Sequence, residues 1–135
     1  MNVQAIRNFL IVLGSYWLSI WVFLPLAYIN MKITNGITYT GTLGALLMHT
    51  VAAIPLGLVS FGAGMLIRYV LDDDKQKFWI FFLMLLYASK HFMGVHWAIN
   101  PSLSDRALQL PQSIVPAATC YIGYRVFNKS IDKTN

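Results

Sequence analysis

Apolar residues fall in four long runs, each closed off by a short polar stretch. The runs cover about residues 9–29, 42–71, 78–98 and 111–127. Each is long enough at the helical rise to cross, or nearly cross, a hydrocarbon layer about 30 Å thick. The pattern therefore predicts an all-α membrane protein: a bundle of four transmembrane helices forming a single integral domain over residues 1–135. A signal peptide is an alternative for the first run, but the run is too long and no small-residue cleavage motif follows it. It reads as a retained span.

The linkers carry distinct signals. Met31 to Thr40 (MKITNGITYT) alternates β-branched and polar residues about Asn35-Gly36. That dipeptide suits a type I′ turn, so a short outward β-hairpin is expected between the first two helices, with Thr34 facing Ile37. A plain connecting loop with a tight turn is the alternative. Asp72 to Lys77 is a charged turn whose acids can cap the next helix, with Arg68 and Asp72 spaced to pair. Asn100 to Leu110 reads as a turn plus a short interfacial helix, and Pro111 suits the first turn of the fourth helix.

Within the runs, small and large residues are patterned. Ala53, Gly57, Ser60 and Gly64 recur at helical spacing and form a small-residue face on the second helix. Such faces let backbones approach closely, here against another helix of the same chain or, alternatively, a second copy. Pro55 interrupts the same helix by removing a backbone donor. On the first helix the pairs Ser15/Ser19 and Trp17/Trp21 each lie one turn apart, which predicts one helix-facing and one lipid-facing stripe.

Composition sharpens this picture. Of 135 residues, 57% are hydrophobic and 11% charged, too few charges to clothe a soluble domain of this size. The five acids, Asp72, Asp73, Asp74, Asp105 and Asp132, all lie outside the apolar runs, and there is no Glu. The net charge of +5 follows from basic residues at span ends and does not indicate nucleic-acid binding. Arg7, Arg68, Lys75, Lys77, Arg125, Lys129 and Lys133 fall on one side of a four-span arrangement, and Lys32 and Arg106 on the other. The positive-inside rule then expects both termini in the cytoplasm of a cell membrane, with a bacterial inner membrane as the setting. The single cysteine, Cys120, excludes an internal disulfide.

Candidate chemistry centres on Phe78 to Asn100, whose apolar run contains Lys90 and His91. From the expected topology, Lys90 lies about 18 Å from the cytoplasmic start of its span and His49 about 10 Å below the outer surface. Tyr87, Gln112 and Ser113 are expected at that depth, giving a polar layer of Lys90, His91, His49, Tyr87, Gln112 and Ser113 as a candidate ligand site. No acid in any span is available to neutralise Lys90, whose side chain alternatively snorkels to the headgroups.

Three functions are compatible with these features. The leading expectation is a non-enzymatic subunit of a larger membrane complex, or a homo-oligomer. A second is transport of an anion or lipid headgroup by way of Lys90. A third is electron transfer, with a b-type haem or quinone between His49 and His91. Otherwise no cofactor or metal is expected, and the partners are the bilayer and other membrane subunits or copies of the chain. A hydrolase triad lacks its acid, and no P-loop, dinucleotide fingerprint or zinc-ligand spacing is present.

Overall fold

The computed structural model describes residues 2–71, 75–90 and 107–132, with side chains over 2–71, 75–89 and 107–127. These residues form four helices: α1 (Val3–Thr34), α2 (Gly41–Val70), α3 (Gln76–Lys90) and α4 (Pro111–Asp132). Among the described residues there is no strand. Two of the helices, α1 and α2, are long and apolar enough to cross a membrane.

The helices begin where capping chemistry allows. Asn2 caps α1, its Oδ1 accepting from the Gln4 amide at 3.1 Å, which satisfies one of the orphan donors of the first turn. Pro111 opens α4 at a position where its missing N–H costs nothing. At the α2–α3 junction, Gln76 bridges the two helices. Its amide donates to the Leu71 carbonyl and its carbonyl accepts from Arg68, whose guanidinium also lies over the Tyr124 ring at 5.7 Å.

The expected β-hairpin is replaced by a helix end and a tight turn. Met31 to Thr34 continue α1, and the Asn35-Gly36 turn is closed by the Ile37 amide on the Thr34 carbonyl at 3.1 Å. Asn35 keeps a negative φ of −61° with ψ of 127°, while Gly36 takes φ of +92°. That is a type II turn, which needs a left-handed residue only at its third position; a type I′ turn needs two. Because Asn35 stays extended at negative φ, the hairpin twist is never generated. Extended flanks would gain no third strand to pair with, whereas in the helix the Thr34 hydroxyl is satisfied on the Asn30 carbonyl at 2.9 Å.

Contacts along the helices fix their directions. Asn30 of α1 meets Val51 of α2, whereas Ser15 and Leu66 line a common cleft further along, so α1 and α2 are antiparallel. His49 meets Gln112 and Ser60 meets Thr119, so α2 and α4 are parallel. Phe9 meets Phe82 and Tyr16 meets Tyr87, so α1 and α3 are parallel. The helices thus alternate in direction, in a cycle α1–α2–α4–α3, with α2 packed most extensively on α4. The buried core gathers Val12, Leu56, Ile67, Leu71, Trp79, Ile80, Leu83, Tyr87, Cys120 and Tyr124.

Candidate functional site

The closest packing in the molecule is between α2 and α4, and residues without bulk create it. A β-carbon added at Gly64 would collide with the Cys120 carbonyl, and one added at Gly123 would collide with the Phe61 carbonyl. The two glycines are reciprocal: each helix contributes one to admit the other's backbone. One turn before the glycines, the Ser60 and Thr119 hydroxyl oxygens stand 2.8 Å apart. One hydroxyl donates to the other while the second donates to a carbonyl of its own helix, Gly57 for Ser60 or Val115 for Thr119. Gly57 leaves room for Val115 Cγ1, which would stand 3.1 Å from an added β-carbon. Ala53, Gly57, Ser60 and Gly64 are all buried. The small-residue face of α2 is therefore occupied by α4 of the same chain.

Beyond this seam, toward the start of both helices, Gln112 Nε2 stands 2.7 Å from His49 Nδ1. An amide nitrogen can only donate, so Nδ1 accepts and the neutral ring carries its proton on Nε2. His49 is half-buried, and Ser113 on the next position of α4 is buried with no hydrogen-bond partner for its Oγ. The backbone of Lys90 closes the described part of α3, and His91 lies outside the described residues, as do Asp72 to Asp74, His96 and residues 100–106.

Tyr87 belongs to a different group. Its hydroxyl donates to Ser19 Oγ at 2.8 Å, and Ser19 donates to the Tyr16 carbonyl at 2.6 Å. The Tyr16 and Tyr87 rings meet edge-on with centroids 5.3 Å apart. Ser19 shares its cleft with Gly62 of α2, thirteen residues from His49. At the helical rise that separation is about 20 Å, so the structure joins His49 to Gln112 but not to Tyr87. Levels counted from the ends of the apolar runs lie closer together than this, because α1 and α2 are 32 and 30 residues long.

The Tyr87–Ser19 chain ends on a backbone carbonyl, so its hydroxyls are committed to holding α1 on α3. The His49–Gln112 pair lacks a described acid, and among the described residues no group of three His, Cys, Asp or Glu side chains converges. What both pairs do is fix one helix against another.

Two residues with this role were invisible to pattern reasoning. Asn30 donates from Nδ2 to the Val51 carbonyl at 3.2 Å, and Gln76 ties the α2–α3 junction. The available signal for Asn30 was Pro55, which leaves the carbonyl four residues earlier without its intrahelical donor. By contrast, the structure assigns the two stripes of α1 that spacing alone left unassigned: Ser15 and Ser19 are buried, and Trp17 and Trp21 are more than half exposed. No family model, no curated protein and no solved structure matches this chain.

Proposed function

We propose that the chain is a four-span membrane protein that works by association, as a subunit of a larger membrane complex or as a homo-oligomer. The observation behind this reading is the surface of α1. Only 11% of its most apolar window is buried within the molecule, and Trp17, Leu18 and Trp21 stand 63%, 59% and 61% exposed. Water would not tolerate that surface; lipid or a partner helix would. Gly14 lies on the same exposed helix with no atom within 4 Å of its absent β-carbon. A gap of that kind among bulky side chains admits close approach of a neighbouring helix backbone.

In this reading α3 lies in the third span and α4 is the fourth. The alternating helix directions agree with two re-entries from each side. Basic residues at Arg7, Arg68, Lys75, Lys77, Arg125, Lys129 and Lys133 put both termini and the α2–α3 junction in the cytoplasm, and the Asn35-Gly36 turn outside. Among the described residues the hydrogen-bonded pairs hold one helix against another, which fits a role in association.

The test is blue-native electrophoresis after mild solubilisation. An assembly larger than the monomer is expected, and Gly14→Leu is expected to weaken it. A monodisperse monomer with no copurifying protein would overturn the association reading, and an ion or lipid flux lost in Lys90→Met would favour transport in its place.

A further inference from the structure

Three features of the α1–α2 pair coincide at one level. The first is a broken ladder. Pro55 has no N–H, so the Val51 carbonyl loses the donor an α-helix would supply from four residues on. The second is its replacement: Asn30 Nδ2 of α1 donates to that same carbonyl at 3.2 Å. The third is Pro25, which interrupts α1. Counting back five residues from Asn30 reaches Pro25, and counting on four from Val51 reaches Pro55. In antiparallel helices the two prolines therefore stand within about one residue rise, about 1.5 Å, of a common level.

The two sides of that level are held differently. From Pro55 to Val70, α2 is locked to α4 through Gly64, Gly123 and the Ser60–Thr119 pair. From Gly41 to Ile54, Gly44 and Ala53 are the buried residues, and side-chain hydrogen bonds from Asn30 and Gln112 tie this part to α1 and α4. Immediately on the locked side, α1 and α2 part to leave a cleft of about 350 Å³, lined by Ser15, Ser19 and Val22 against Val59, Gly62 and Leu66. The serine hydroxyls in it are turned onto carbonyls of their own helix.

We propose that Asn30 is the latch of a paired-proline hinge. Its amide replaces the backbone donor that Pro55 removes and so holds the Gly41–Ile54 part of α2 against α1. When the amide lets go, that part turns about the proline level, and the end of the cleft nearest the prolines, at Leu26 and Leu58, widens. An unsatisfied carbonyl opposes release wherever water is excluded, so the latch is normally closed.

The mechanism makes Asn30 and Pro55 interdependent, and a double-mutant cycle reads that dependence. Spin labels are placed at Ile33→Cys and Leu47→Cys, both exposed, in the full chain reconstituted in nanodiscs of phosphatidylcholine and phosphatidylglycerol; Cys120 is buried and stays unlabelled. The native pair is expected to give one narrow distance. Asn30→Leu is expected to shift it to longer, broader values, and Pro55→Ala, which restores the N–H, is expected to return the Asn30→Leu protein to the native distribution. If Asn30→Leu alone does not fold, recovery of folded protein in the double variant supports the latch equally. A native distribution in Asn30→Leu, or a defect that Pro55→Ala leaves unchanged, overturns it. The proposal rests on the bilayer reading only for the medium of measurement: a chain that stays soluble without lipid refutes that reading, whereas the distances judge the latch.

Discussion

One added methyl group at Gly64 would meet a carbonyl oxygen, not a side chain that can swing away. Overpacking a rigid seam of this kind typically costs about 1–3 kcal/mol and occasionally more. Gly64→Leu is therefore expected to lower stability by at least that amount in a detergent-unfolding titration, while Gly62→Leu, which points into open space, is expected to leave it nearly unchanged. Tyr87→Phe removes one interhelical hydrogen bond but leaves Ser19 its Tyr16 carbonyl. In membrane proteins such a bond is worth about 0.6 kcal/mol, and the same titration should read a loss of that order. Gly36 is the residue of the turn that sits at positive φ, so Gly36→Ala should cost about 1–2 kcal/mol and Gly36→Asn less. The spacing of Ala53, Gly57, Ser60 and Gly64 was enough to find the α2 side of its seam. Gly123 was not found, because a lone glycine in a weakly apolar helix has no period of its own.

At the scale of the element, helix existence and order were readable because apolar runs of this length have few other uses. What failed was the linker at Met31 to Thr40, where β-branched residues and an Asn-Gly pair both favour a hairpin. Those preferences assume a pairing surface, and here the chain instead extends α1 to Thr34 and turns on a single left-handed glycine. Asn30 shows the same limit from the other side. A polar residue late in an apolar helix looks interfacial until the partner helix places a proline-freed carbonyl opposite it. The polar layer proved only partly legible for a related reason: depth counted from the ends of apolar runs placed Tyr87 beside His49, but α1 runs to 32 residues and α2 to 30, so those ends are not common levels. Gln112→Leu should accordingly loosen the start of α4 on α2, seen as faster hydrogen exchange over residues 113–115 with no change near Tyr87.

Taken as a whole molecule, the chain is tight along α2, α4 and the lower part of α3, and open along α1. If α1 faces only lipid, cysteine substitutions at Trp17 and Trp21 should be inaccessible to aqueous maleimides yet should not crosslink to any protein; crosslinked species would locate the partner on that face. α1 and α2 contain 32 and 30 residues, or about 48 and 45 Å at the helical rise, against a hydrocarbon layer of about 30 Å. If both helices cross a bilayer, the surplus has to go somewhere, and the tight turn at Asn35-Gly36 leaves it little slack to collapse into. In an upright pair the two helix ends would stand off the bilayer as a stiff post carrying Lys32 near its tip. A reporter domain spliced in at Gly36 would then be displayed clear of the headgroups on a rigid mount, and its distance from the lipid surface would serve as a ruler for helix tilt.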